Sequence, residues 1–219
     1  MVSVLPEDKP LWGGPCRKVE IEGVNVRPAG GGEDSKDDPK NSDAWEKEIG
    51  KIGKGGAYVF ADGSLLDGGN VGGGAFVVEK GDREMEVECG IGDVATVWDR
   101  EVAGMAEGLA RLPRDGRKVL ILADSKAAIA AVRKAGRTGK ARSHHLRKVV
   151  NEIAERGEVK IGWVMAHMGI LGNEAADVLA KQAAEGVPLD DHEQWMSGGG
   201  GIRPWAKRRK ESVEEGSGG

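Results

Sequence analysis

Two apolar runs of strand type end alike: "AYVFA" leads into Asp62-Gly63-Ser64, and "VLILA" leads into Asp124-Ser125. In open α/β sheets functional groups gather at the carboxyl ends of strands where the strand order reverses. Either aspartate alone reads equally as a turn residue or a helix cap. If the strands are neighbours, however, their terminal carboxylates face each other a few ångströms apart, where like charges repel unless a cation lies between them. Glu101 opens a helical stretch, with Gly104 and Gly108 on its side. Those glycines cost helix stability, about 1 kcal/mol each relative to alanine, so something must gain from close approach there. Asp177 stands near another helix start, shortly after His167 in "WVMAHMGILGNEAADVLAK". Acids from four separate elements converge only if the fold brings those ends together, and their oxygens suit Mg²⁺ or Mn²⁺. A zinc cage is disfavoured, because His144, His145 and His192 have no ligand spacing with Cys16 and Cys89.

The elements that must position these residues follow from hydrophobic period. "AYVFA", "GGGAFVVEK" and "REMEVECG" read as three strands, the last two joined through Gly81-Asp82, a hairpin signal. "WDREVAGMAEGLARL" places Val102, Met105, Ala106, Leu109 and Leu112 at helical spacing, with Pro113 as a stop. "KVLILA" is a continuous apolar run, as in a strand buried on both faces, and "SKAAIAAVRKA" follows as a helix capped by Ser125. "SHHLRKVVNEIAERG" gives a further helix, "EVKIGWVMA" a strand, and "NEAADVLAKQAAEG" the last helix. His167 would lie in the loop between these last two, and Asp177 one turn into the helix. Three strands followed by alternating elements predict an α/β fold with a mixed sheet flanked by helices.

The chain has 36 glycines in 219 residues, over twice the usual ~7 per cent. Much of the excess falls in "PAGGGEDSKDDPKNSD", "GKGG", "SGGGG" and "GSGG", which read as linkers. Residues 1–56 are expected to be a mostly disordered linker segment, despite a short valine alternation in "KVEIEGVNV", and 187–219 a polar tail with the basic segment "KRRK" beside Trp205. No apolar run approaches the ~18 residues of a membrane helix, and the N-terminus lacks the order of a signal peptide. An intracellular chain, in nucleus or cytoplasm, is therefore expected, with ordinary thiols at Cys16 and Cys89. The net charge of −4 argues against a nucleic-acid binder until its distribution is read. Between Asp124 and Glu152 there is no acid, yet Lys126, Arg133, Lys134, Arg137, Lys140, Arg142, Arg147 and Lys148 all occur there. That predicts a local polyanion-facing surface.

The series "YVFADGS", "WDREVAGMAEGLARL", "VLILADSKAAI" and "WVMAHMGILGNEAADVLAK" resembles the type 1 ribonuclease H domain, most closely those in reverse-transcriptase polyproteins of non-LTR retrotransposons. Each motif is weak alone; the four in this order form a strong signal over about residues 57–186. The resemblance implies a ribonuclease H-like, five-stranded mixed sheet with strand order 3-2-1-4-5, and endonucleolytic cleavage of the RNA strand in RNA/DNA hybrids. It also implies that Asp62, Glu101 and Asp124 are the central metal-binding carboxylates, Asp177 the fourth, and His167 a mobile loop histidine assisting proton transfer or product release. Two Mg²⁺ ions, with Mn²⁺ as a substitute, would activate water and stabilise the departing 3′ oxygen. RNA is told from DNA through its 2′-hydroxyl, for which Gly63, Ser64 and Ser125 are positioned. Arg137, Lys140 and Arg142, within the basic segment, would grip the DNA strand or neighbouring phosphates. A reverse-transcriptase domain is the implied protein partner.

The chain departs from the pattern in places. Ala61 and Ala123 stand where the family often has threonine, at positions that hold no metal. Met165 and Ala166 replace the common Pro-Gly before the histidine, and Met168 the Ser or Ala after it, a change of turn that can move His167. The main rival reading is a catalytically silent hybrid-binding module of the same fold. A proofreading-type exonuclease would want Asp-x-Glu on the first strand, where this chain has Asp62-Gly63-Ser64. A glycine-loop nucleotide site at "GGNVGGG" lacks the lysine and hydroxyl that should follow, and reads instead as a flexible hairpin.

Overall fold

The computed structural model describes residues 12–28, 39–66, 71–79, 84–90 and 99–185. Its strands are β1 (Trp12–Pro15), β2 (Glu22–Asn25), β3 (Ala57–Leu65), β4 (Val71–Val78), β5 (Glu84–Gly90), β6 (Val119–Ala123), β7 (Lys140–Ser143) and β8 (Val159–Trp163). Its helices are α1 (Pro39–Ile52), α2 (Asp99–Arg111), α3 (Lys126–Thr138), α4 (His144–Ala154) and α5 (Leu171–Glu185). The main sheet runs β2-β8-β6-β3-β4-β5. Stripped of β2, it is the expected five-stranded order, with β3 paired antiparallel to β4 and parallel to β6.

The central strands form because their residues are apolar on both sides. Every residue of β6 is buried, as a strand covered by helices on both faces requires. Alternation sorts the two cores. Val59, Ala61, Ala75, Val77 and Ile121 face α2, α3 and α4, while Tyr58, Phe60, Phe76, Val78, Leu120 and Leu122 face α5 and α1. Ser125 caps α3 by accepting from the Ala128 N–H, as its sequence position predicts, and Ser143 does the same for α4 at Leu146.

Missing β-carbons set how closely helices lie on the sheet. A β-carbon at Gly104 of α2 would collide with the Gly74 carbonyl, and one at Gly63 of β3 with the backbone and Cβ of Arg100 and Glu101. On the opposite face, Gly72 and Gly74 of β4 lie directly against the backbone of α5 around Ala180. The "VGGG" run does belong to an antiparallel hairpin, that of β3 and β4, but as strand residues that seat a helix; residues 67–70 and the Gly81-Asp82 turn lie outside the described residues.

The N-terminal segment differs from expectation. Residues 12–28 and 39–52 are not linker: β1 pairs antiparallel with β7, β2 extends the main sheet beside β8, and α1 packs on the α5 face. The valine alternation in "KVEIEGVNV" is what drives β2, with Ile21 and Val26 buried on opposite faces. In α1 the apolar residues Trp45, Ile49 and Ile52 recur at one-turn spacing within a polar stretch, enough to seat it. "GKGG" is a tight turn in which Gly56 lies against the Lys118 carbonyl. The 187–219 tail, with "KRRK", lies outside the described residues, and among those described no helix is long and apolar enough to cross a membrane.

Candidate active site

Strand register brings the first two acids together. Ala61 pairs with Ala123 in the parallel β3/β6 ladder, so Asp62 and Asp124 follow side by side at the carboxyl ends of the strands. The close seating of α2, permitted by Gly63 and Gly104, brings Glu101 to the same point. Carboxylate oxygens of Asp62, Glu101 and Asp124 all lie within 4.8 Å of one another. Asp62 and Glu101 are each only 9% exposed, so the cluster combines burial with mutual repulsion.

The protonation equilibria register both effects. Burial first, and then the Asp124 charge, push the Asp62 carboxyl up to about 7. Burial, Asp124 and Asp62 push Glu101 up to about 8, although the Ser125 hydroxyl and N–H both hydrogen-bond to it. Asp124 is also raised, by burial foremost, with His167 and the Asn173 side chain opposing. The Glu101 Oε2 oxygen is buried with no hydrogen-bond partner among the described residues. A divalent cation supplies what this donor set lacks: positive charge among hard oxygens. The residues present fit such an ion.

Asp177 lies just outside this group. It forms a second cluster with His167 and Glu174, again with ligand atoms within 4.8 Å, and its carboxylate takes a 2.6 Å ion pair from Lys181. Its charge is nevertheless felt at Asp62 and Asp124. His167 is exposed and has a left-handed backbone, φ 56°, a conformation that costs a non-glycine residue about 1–2 kcal/mol. Buried Met168 beside it and the Gly169 N–H on Glu174 Oε1 hold the turn, so the altered loop still directs His167 to the acids.

The candidate substrate residues divide. Gly63 and Ser64 border the cluster on β3, with the Gly63 N–H donating to Asp62 Oδ1 at 2.6 Å. Ser125 is engaged as cap of α3 and support of Glu101. Arg137, Lys140 and Arg142 are exposed, and β7 alternates so that Ala141 and Ser143 turn inward while the two cations face solvent. The rest of the basic run is not one surface. Arg133 donates to the Ile21 carbonyl, Arg147 meets His144, and Lys148 pairs with Glu107.

Sequence reasoning missed three supports. Asn173, 3% exposed, hydrogen-bonds Asp124 from the first turn of α5. Trp163 donates its indole N–H to the Asp124 carbonyl at 2.7 Å, and Lys126 lies 4.2 Å over its ring. Glu174 completes the outer cluster. An asparagine in the first turn of the helix, next to Gly172, was the available signal for Asn173; nothing local marks Trp163.

The RNase H family profile matches residues 55–185. The ribonuclease H proteins of Tropheryma whipplei strains Twist and TW08/27 are each 31% identical to this chain over 134 residues, spanning 56% of it and 81% of the relative. Between a profile that takes in the whole sheet from β3 to β8 and relatives aligned over most of their length, the conclusion is plain: this chain belongs to the RNase H family.

Proposed function

We propose that the protein is a divalent-metal-dependent endonuclease that hydrolyses the RNA strand of RNA/DNA hybrids. The observation that carries this reading is the convergence of Asp62, Glu101 and Asp124 in a buried, repulsive cluster, on a chain of the RNase H family. These three would hold two Mg²⁺ ions, with Mn²⁺ as a substitute and Asp177 as the outer ligand. Such ions, when bound, make water nucleophilic near neutral pH and stabilise the charge of a departing oxygen.

The chain's own residues do the rest. Ser125 fixes Glu101, while Asn173 and Trp163 fix Asp124, so the donor set is held before substrate arrives. His167, outside the inner cluster but beside Asp177, is placed to carry a proton at its imidazole or to help release the cut strand. Gly63 and Ser64 offer a backbone approach and a short hydroxyl for the ribose 2′-OH. Arg137, Lys140 and Arg142 form the exposed cationic rim for the hybrid's phosphates. Reversing those three charges is expected to weaken hybrid binding and flatten its salt dependence; an unaltered salt slope places the nucleic acid elsewhere.

The test is cleavage of an end-labelled hybrid by the purified chain, with and without Mg²⁺. Metal-dependent cutting within the RNA strand, lost in Asp124→Asn, supports the proposal. Binding with no cutting assigns the chain to the silent hybrid-binding module. A retrotransposon origin, with a reverse transcriptase as partner, rests on the likeness of the four motifs and is part of the same proposal. An intracellular setting, in nucleus or cytoplasm, is part of the same proposal.

A further inference from the structure

Helix α1 lies outside the stretch matched by the family profile, yet it touches both sides of the site. Three contacts tie it to the histidine loop. The Glu46 Oε1 oxygen accepts from the Leu171 N–H at 3.4 Å, one of the backbone donors that the start of α5 leaves without a helical acceptor. Gly169, with its left-handed φ of 68°, passes beside buried Ser42; a β-carbon there would meet the Ser42 Cβ at 3.6 Å. Met168 and Ile170, which flank Gly169, bury their side chains in the cluster that holds Trp45 and Ile49. The residues that follow His167 are thus fastened to α1.

A second line of contact runs to the inner carboxylates. Trp45 stands edge-on to Trp163, ring centres 6.1 Å apart at 75°. The indole N–H of Trp163 in turn donates to the Asp124 carbonyl at 2.7 Å. Helix α1 therefore abuts the loop that carries His167 and the tryptophan that holds Asp124.

We propose that α1 is a positioning element for catalysis: Glu46 sets the turn that presents His167, and Trp45 sets Trp163 and, through it, Asp124. Neither residue touches substrate or metal. The catalytic consequence rests on the ribonuclease reading, whereas the structural coupling can be read without it. A helix that merely covered apolar surface would contribute stability alone. A positioning helix must instead alter the surroundings of His167 when one acceptor is removed and the core is left intact.

The experiment uses the full chain with Glu46→Ala, Glu46→Gln and Trp45→Phe. The ring resonances of His167 are expected to move in Glu46→Ala and return in Glu46→Gln, which keeps an acceptor oxygen, while the methyl resonances of Ile121 and Leu122 hold still. The Trp163 indole N–H resonance is expected to move in Trp45→Phe. With labelled hybrid, Glu46→Ala should lose about ten- to a hundredfold in kcat, as small misplacements of a reacting group do, with KM within about twofold. Unmoved His167 resonances in Glu46→Ala, or an unchanged kcat where the parent chain cuts, overturn the proposal. If the parent chain does not cut, the ribonuclease reading fails by itself, and the resonances still decide whether α1 positions the loop.

Discussion

Two acidic clusters sit side by side and behave differently. Asp62, Glu101 and Asp124 stand on strand ends and a closely seated helix, largely buried, with the Asp62 and Glu101 carboxyls raised well above their ordinary range and that of Asp124 also raised. His167, Glu174 and Asp177 stand on a loop and a helix turn, more open to solvent, and Asp177 already carries a partner in Lys181. The residue types are nearly the same. Burial makes the difference, since a carboxylate that has lost water and gained a like neighbour is destabilised until protons or a cation arrive. The inner cluster therefore has the electrostatics that favour a cation, whereas in the outer one Asp177 is already paired.

The largest test removes a charge from the inner cluster. Asp62→Asn or Glu101→Gln is expected to reduce hybrid cleavage to background while stabilising the metal-free fold at pH above 8, read by denaturant unfolding. Undiminished cleavage in either variant would strip that residue of its role.

The second test is pH. Asp62 and Glu101 titrate near 7 and 8 in the folded chain, well above their ordinary values. The folded state then holds protons that the unfolded state has released, so metal-free stability should fall as pH rises from about 4 to about 8. Protons and cations compete for the same oxygens, so Mg²⁺ should stabilise most at the alkaline end, by about 2.7 kcal/mol at a hundredfold excess over its Kd. A melting temperature indifferent to both Mg²⁺ and Mn²⁺ at pH 8 would mean that the inner cluster takes no cation.

The outer cluster should respond in the same sense but less strongly. His167→Gly is expected to cut turnover about a hundredfold, as loss of a proton-transfer group does. Because glycine accepts the left-handed backbone there, the melting temperature should hold or rise. A large drop in stability would show that the loop is held by the histidine itself. Smallest of all, Lys181→Ala should change stability by less than about 1 kcal/mol, since half-exposed ion pairs contribute little, yet it should tighten metal binding by freeing Asp177. Calorimetric titration with Mn²⁺ reads that shift, and unaltered affinity would separate Asp177 from the metal site.

Much of this was readable from the chain. Period and punctuation marked β3, β4, β5, β6 and β8 and the helices α2 to α5, while β7 carried no strand signal of its own; Asp62 and Asp124 ended apolar runs, and Glu101 opened a helix, each evident from its own residues. Where the chain was polar and glycine-rich, the reading faltered. In α1 only Trp45, Ile49 and Ile52 carry the helical period, too sparse to outweigh the linker composition around them. In "VGGG" the glycines signalled flexibility, yet they serve as a flat seat for α5. The basic run looked uniform, yet Arg133 and Lys148 are occupied with the fold.

What the sequence determined alone was local: which residues form strands and helices, and which strand ends and helix starts carry acids. Such properties follow from side-chain period and backbone preference over a few residues. Only the tertiary structure decided that Ala61 lies beside Ala123, that α2 approaches within glycine distance of β4, that Asp177 joins His167 rather than the inner three, and that Trp45 reaches Trp163. Those outcomes depend on burial and on pairs far apart in the chain, so the charge repulsion and desolvation that give the carboxylates their chemistry exist only once the sheet has closed them in.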